Sequence, residues 1–297
     1  MQASAPTGII GLGLMGTALS ARLIDAGAPL IGFDIDPAGC ERLKASGGTV
    51  ATSVREIADR CHAIVVAVYS GEQVEALFGE IERGAGSERP TVVCMTTCTP
   101  DEIAGLSGRA TMAGIALVEA PISGTSAEVR DGTATALVAG ESGAVESVSA
   151  LLDILCPHSL RVGAIGNASR TKLAINLILQ ANRAALAEGI AFAELLGLDG
   201  RAFLAAARES AAYSRVMETK GEKMLTRDFR PQSHISQTLR DAELILEEAR
   251  RRGLALPVTT TQSGLLRAAI AIEGPDSDSA AVIEAIRRRP AVSGAAR

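Results

Sequence analysis

The sequence predicts an α/β protein: a doubly wound parallel sheet followed by an all-helical C-terminal domain, the two joined by a long helix. Three observations carry this. Strand-like and helix-like segments alternate from Thr7 to Leu155. Within them, Ala63-Ile-Val-Val-Ala-Val68, Thr91-Val-Val-Cys-Met95 and Ile115-Ala-Leu-Val118 are near-continuous apolar runs, the mark of strands buried on both faces of a parallel sheet. From Ala168 to the C-terminus only helical periodicity remains. The expected domains are residues 1–165 and 166–297, with the linking helix at about 168–196.

The elements follow in order. Thr7-Gly-Ile-Ile10 is a short buried strand, and the glycine loop Gly11-Leu-Gly-Leu-Met-Gly16 comes directly after it. Met15, Ala18, Leu19, Leu23 and Ala26 then recur at helical spacing until Gly27 ends the helix. Leu30-Ile-Gly-Phe33 is the second strand and delivers Asp34 at its end. A short helix over Ala38–Ala45, a strand at Thr49-Val-Ala51 and a helix capped by Ser53 and running to Arg60 precede the apolar strands. Ala134–Ala139 is a further strand and Val145–Leu155 a helix. In the long helix, Leu173, Ile175, Leu177, Ile178, Ala181, Ala185 and Leu186 supply apolar surface, and polar residues are so sparse that burial on more than one side is expected. Asp199, Ser233 or His234, Pro257 and Asp278 mark later helix starts, and Gly274–Ser279 is a loop before the last helix.

Composition narrows the function. The chain has 297 residues, 47% of them hydrophobic but only 2% aromatic, so its cores must be aliphatic. A net charge of −5 argues against a nucleic-acid partner, which calls for a basic stripe. The only basic runs, Arg250–Arg252 and Arg287–Arg289, fall at expected helix ends, where cations suit the macrodipole. The first residues, Met1 to Pro6, carry no signal-peptide pattern, and no apolar stretch is long enough to span a membrane. Cys40, Cys61, Cys94, Cys98 and Cys156 form no CxxC pair and read as reduced thiols of a cytoplasmic protein with no metal site.

Chemistry begins at the glycine loop. In a strand–loop–helix context, Gly11 permits a tight turn, Gly13 lets the backbone approach a pyrophosphate, and Gly16 lets helix pack on strand. The helix N-terminus offers unpaired N–H groups to phosphates. Asp34, 18 residues beyond Gly16, would accept the adenosine ribose hydroxyls and repel a 2′-phosphate. Gly11, Leu12, Gly13, Leu14, Met15, Gly16 and Asp34 are therefore the candidate contacts of a dinucleotide, NAD in preference, in a Rossmann-type domain. NADP stays possible, since Asp36 is placed to take over from Asp34.

Three further segments stand out. Thr96-Thr-Cys-Thr-Pro100 follows a parallel strand, where Thr96 would face a nicotinamide or simply open a helix. Ser123-Gly124-Thr125 offers a hydroxyl and backbone N–H groups to a substrate carboxylate, though a plain turn has the same composition. Lys172 and Asn176, four residues apart, share an otherwise apolar helix face. A desolvated lysine exchanges protons near neutral pH, whereas a snorkelling one does not. Of the three histidines only His234, beside the Asp228–Pro231 loop, is placed to reach a substrate.

Taken together, Gly11–Gly16, Glu119-Ala-Pro-Ile-Ser-Gly124 with Gly132-Thr133, the Gly163/Gly166/Lys172/Asn176 segment and Asp228–Pro231 with Leu239-Arg240-Asp241 resemble the β-hydroxyacid dehydrogenase family nearly end to end. The resemblance implies that Lys172 is the general acid/base, Asn176 orients the substrate, and Ser123 and Gly124 hold its carboxylate. It places Thr96 by the nicotinamide ribose. It also implies a small 3-hydroxy acid or semialdehyde as substrate and a homodimer or homotetramer. The chain departs from the family pattern at Glu119 (usually Asp), Thr125 (usually Gly), Tyr69-Ser70 (commonly Leu-Pro) and Arg240 (usually Lys). Arg240 keeps the charge as a planar fork and is a candidate for gripping cofactor or carboxylate. The alternatives are an imine reductase, a glyoxylate or succinic semialdehyde reductase, and a dinucleotide-binding redox sensor without turnover. The lysine–asparagine pair speaks against the first and the last.

Overall fold

A computed structural model describes residues 6–86 and 89–288. Met1 to Ala5, the start of the segment searched for a signal peptide, and Arg289, the last of its basic run, lie outside the described residues. The chain divides into two compact units, residues 1–172 and 173–297.

The first unit alternates as expected: β1 (Thr7–Ile10), α1 (Leu14–Asp25), β2 (Leu30–Phe33), α2 (Pro37–Ala45), β3 (Thr49–Val50), α3 (Val54–Arg60), β4 (Ala63–Val66), α4 (Gly71–Gly84), β5 (Thr91–Cys94), α5 (Pro100–Ala113) and β6 (Ala116–Glu119). These six strands are parallel, in the order β3-β2-β1-β4-β5-β6, so the winding reverses between β1 and β4. Ligands of open α/β sheets bind at such a switch point. Ile9, Val65, Val93 and Val118 enter one aliphatic core; Ile10, Ile64, Val66 and Val92 enter the other. Alternate residues thus bury both faces, and helices cover both. The helices start where their sequences cap them. Ser53, Ser70 and Thr99 each accept a first-turn N–H of α3, α4 and α5, and Thr99 forms a full capping box with Glu102.

Beyond β6 come β7 (Ile122–Ser123), α6 (Ser126–Arg130), β8 (Thr135–Gly140), α7 (Ser142–Ser147), α8 (Ser149–Leu155) and β9 (His158–Gly163). β6 and β7 pair antiparallel with β8 in one continuous register, interrupted at Ala120-Pro121, where proline has no N–H to give. The helix expected over Val145–Leu155 is two helices, broken at Val148, whose side chain is anchored in the core. β9 pairs parallel with β8 and has mostly exposed residues, so it carries no apolar run. The strand expected to reach Val68 stops at Val66.

Helix α9 (Asn167–Leu195) begins in the first unit and continues into the second. Its 29 residues make it about 43 Å long. The second unit adds α10 (Gly200–Arg208), α11 (Val216–Thr226), α12 (Ile235–Arg251), α13 (Pro257–Glu273), a 3-10 turn (Ser279–Ala281) and α14 (Val282–Arg287). Asp199 and Asp278 accept N–H groups at the starts of α10 and the 3-10 turn, and Pro257 opens α13. Leu186, Ile190, Leu204, Met224, Ile235, Leu266 and Ile283 belong to its core. The basic run at the end of α12 is paired back onto its own helix, Arg250 and Arg251 to Glu247 and Arg252 to Glu248. Among the described residues no helix is long and apolar enough to cross a membrane.

Candidate active site

The glycine loop has the shape that a pyrophosphate requires. Gly11 has φ +95°, and a Cβ there would lie 2.4 Å from the Ala67 carbonyl oxygen, across the switch point. A Cβ on Gly16 would lie 1.8 Å from the Gly11 carbonyl oxygen, so helix and loop meet only because both are glycine. Gly13 is exposed, with open space where a side chain would stand, and no side chain caps α1. The first-turn N–H groups of Leu14, Met15 and Gly16 therefore make an uncapped helix N-terminus, suited to an anion. Leu12 plays a different part. Its side chain is in the core and its N–H donates to Asp34 Oδ2 at 2.5 Å. Asp34 Oδ1 accepts from the N–H of Asp36 at 2.8 Å. The carboxylate is thus held at the end of β2 with lone pairs to spare for ribose hydroxyls. Asp36 does not compete for that place: it caps α2 by accepting from the Ala38 N–H at 3.0 Å.

Two of the hydroxyls picked from sequence are committed to structure. Thr96 is buried, and its Oγ1 accepts from the Val68 N–H at 3.0 Å and donates to the Val68 carbonyl at 3.1 Å. It ties the ends of β4 and β5 together beside the glycine loop. Thr125 is the N-cap of α6, with Glu128 completing a capping box. Ser123 is half-buried at the end of β7, and Gly124 follows it into the turn. A Cβ on Gly124 would stand 2.8 Å from the Ala134 Cβ, so the turn is closed to any larger residue.

Glu119, noted in the sequence only as a departure, organises the start of α9. It is fully buried, and its carboxylate accepts from the N–H of Gly166 at 2.7 Å, the N–H of Ala168 at 3.3 Å and the Ser169 hydroxyl at 2.6 Å. A negative charge at a helix N-terminus is favoured by both the orphan amides and the dipole. Three residues on, Lys172 is buried at 6% exposure, and Asn176 one turn later at 4%. Lys172 is therefore no snorkelling surface lysine. Asn176 Nδ2 donates to Asp241 Oδ2 at 2.8 Å, and Arg240 Nη1 lies 3.8 Å from Asp241 Oδ1. The Arg240-Asp241 pair of α12 is thus brought to the Asn176 face of α9, with Asp241 fixing the amide.

Residues that the sequence did not single out extend this face. Gln180 Nε2 donates to the Thr238 carbonyl at 3.1 Å, and Gln262 Nε2 donates to Gln180 Oε1 at 2.8 Å. Arg183 is buried on the same stripe. Lys220 and Asp278 form a fully enclosed ion pair at 2.7 Å. Burial pushes the Lys220 ammonium down to about 8, although Asp278 opposes it. Their signal in sequence was slight: polar residues at apolar helical positions. His234 caps α12, its ring Nδ1 2.9 Å from the Asp276 carbonyl oxygen, rather than standing free for a substrate.

Comparison with known proteins places these features. Residues 6–163 match the family described as the NAD binding domain of 6-phosphogluconate dehydrogenase. Residues 166–286 match the family described as NAD-binding of NADP-dependent 3-hydroxyisobutyrate dehydrogenase. The 2-hydroxy-3-oxopropionate reductase of Escherichia coli K12 is 31% identical over 94% of this chain and 96% of its own. The chain belongs to the β-hydroxyacid dehydrogenase family. Another relative in this family, the L-threonate dehydrogenase of Cupriavidus necator, is 27% identical over 93% of this chain and 94% of its own. The crystal structure of a 3-hydroxyisobutyrate dehydrogenase from Salmonella typhimurium superposes with a TM-score of 0.86 at 25% identity, covering 95% of this chain and 99% of that one. This β-hydroxyacid dehydrogenase is accordingly an NAD(P)-dependent oxidoreductase, and the uncapped α1 N-terminus and the Asp34 carboxylate fit that cofactor.

Proposed function

We propose that this enzyme interconverts a small 3-hydroxy acid and its semialdehyde, with Lys172 as general acid/base and NAD as the preferred cofactor. The nicotinamide, when bound, supplies the hydride to the carbonyl carbon in reduction and takes it back in oxidation. Lys172 Nζ gives its proton to the carbonyl oxygen as the hydride arrives, and recovers it from the hydroxyl in the reverse direction. Asn176, oriented by Asp241, hydrogen-bonds the substrate, and Ser123 with Gly124 holds its carboxylate. Arg240 leans on Asp241 and Thr125 caps α6, so on this reading both act as supports more than as ligands. Thr96 keeps the wall beside the nicotinamide in place.

The single observation that carries the reading is the burial of Lys172 on the Asn176 face of a helix whose N-terminus is clamped by a buried carboxylate. Lys172→Ala tests it. Turnover of 3-hydroxy acids and semialdehydes is expected to fall by roughly a thousandfold or more, while quenching of NADH fluorescence still reports cofactor binding. Turnover within a few-fold of wild type would reject Lys172 as the acid/base.

The same reading assigns nucleotide binding to residues 1–165, which also supply Ser123 and Gly124, and substrate binding and self-association to residues 166–297. Ile178 midway along α9 and Phe192, Leu195, Leu196 and Leu198 near its end are large, apolar and exposed, as a homodimer or homotetramer interface would require. A cytoplasmic setting suits five free cysteines, of which Cys61 and Cys156 are pushed up to about 11 by burial and so stay protonated.

A further inference from the structure

Lys172, Asn176, Gln180 and Arg183 recur at i, i+4, i+8 and i+11 on α9, and all four are buried. Asn176 is bonded to Asp241, and Gln180 to Thr238 and Gln262. Arg183 stands apart: its Nε and Nη1 donors are buried without any hydrogen-bond partner. The carboxylates that act on it electrostatically, Asp278 and Asp241, are already engaged. Asp278 receives Lys220 at both oxygens together with the N–H groups of Gln232, Ser233 and Ala280. Asp241 receives Asn176 and, at 3.5 Å, Gln237. Neither carboxylate bonds the Nε or Nη1 of Arg183, a mismatch between a buried charge and its hydrogen bonding. A lysine in that position would relieve the mismatch by losing its proton. An arginine does not do so in proteins, even though burial pulls its pKa down.

We propose that Arg183 reads a second acidic group on the substrate, so that the enzyme acts on dianionic hydroxy acids or acidic semialdehydes in preference to monoanionic ones. This rests on the function proposed above and adds the class of substrate. A planar guanidinium is the side chain shaped to grip a carboxylate through paired N–H donors. Helical rise puts the Arg183 backbone about 10 Å beyond that of Asn176, and long helical side chains lean back toward the N-terminus. That lean would carry the guanidinium along the stripe toward Asn176, whose partner Asp241 already acts on it electrostatically. Lys172 and Asn176 are as enclosed as Arg183, so a substrate that reaches them has already entered the same stripe.

The test uses the NADH-loaded protein, with malonate as the dianionic probe and acetate as the monoanionic one, read by calorimetry and thermal shift. Malonate is expected to bind wild type at least tenfold tighter than acetate. Arg183→Met should erase that advantage without changing NADH affinity, and Arg183→Lys, which keeps charge but not the fork, should retain part of it. Lys172→Ala should keep the malonate advantage while losing turnover. Equal binding of the two probes by wild type, or a malonate advantage that survives in Arg183→Met, overturns the proposal. A purely structural Arg183 would change the melting temperature equally with and without malonate, which also overturns it. If the malonate advantage holds but no hydroxy acid is turned over, the proposed reaction has failed and the anion site stands. If monoanionic hydroxy acids are turned over and malonate shows no advantage, only the anion site has failed.

Discussion

Asp34 shows how much one side chain is asked to do. Its carboxylate is pinned by the N–H groups of Leu12 and Asp36, so its charge is fixed beside the glycine loop and not left to swing. Asp36, a plausible substitute from sequence, is consumed as a helix cap. On the proposed reading, a fixed anion there repels a 2′-phosphate and so favours NAD. Asp34→Ser is expected to move the NAD/NADP ratio of kcat/KM toward NADP by about tenfold or more, the equivalent of ~1.4 kcal/mol. An unchanged ratio under steady-state assay with both cofactors would show that another residue sets the preference. The glycines and Asp34 were legible because their roles follow from backbone geometry at fixed spacing. For Thr96 and Thr125 the sequence left clasp and ligand both open, because a threonine beside a strand end serves as either; the hydrogen bonds show the clasp.

At the scale of the element, α9 carries the chemistry on the proposed reading, and Glu119 anchors its start. Three donors converge on this buried carboxylate, and hydrogen bonds to a charged acceptor are worth more than neutral ones. Glu119→Gln keeps the shape and loses the charge, and is expected to cost ~1–2 kcal/mol. Glu119→Ala strands three donors and should cost ~3 kcal/mol or more. Urea unfolding measures both, and kcat should fall with stability as the helix start that holds Lys172 loosens. Equal stability in all three proteins would remove Glu119 from this role. The sequence showed a long helix and its Lys172–Asn176 face. It did not show the clamp, because Glu119 and Gly166 are 47 residues apart and nothing local links them. The split at Val148 was missed for a related reason: it is fixed by what Val148 packs against, not by its own pattern.

At the scale of the molecule, the apolar residues left exposed along the end of α9 are, on the proposed reading, where a second copy of the chain binds. Burying several large side chains at ~1.5–3 kcal/mol each is enough to hold identical chains together once the cost of association is met. Phe192→Asp would place a charge among Leu195, Leu196 and Leu198, and is expected to shift the mass measured by light scattering toward the single chain. A wild-type mass already equal to one chain, or an unchanged oligomer in the variant, would exclude this surface. The net charge of −5 and the pairing of Arg250, Arg251 and Arg252 with their own helix leave no basic stripe there to suggest another kind of partner.

By itself the sequence determined the class of fold, the dinucleotide loop and the lysine–asparagine pair. Each is written in short-range terms: the period of apolar residues, the glycine a tight turn demands, and the four-residue repeat of a helix face. Tertiary structure alone decided which of the chosen polar groups remain available. It gave Thr96, Thr125 and Asp36 structural hydrogen bonds, joined Glu119 to α9 and Asp241 to Asn176, and left the Nε and Nη1 of Arg183 buried without a hydrogen-bond partner. A hydrogen-bonding group has a limited number of partners, and which ones it meets depends on chain segments far away in sequence.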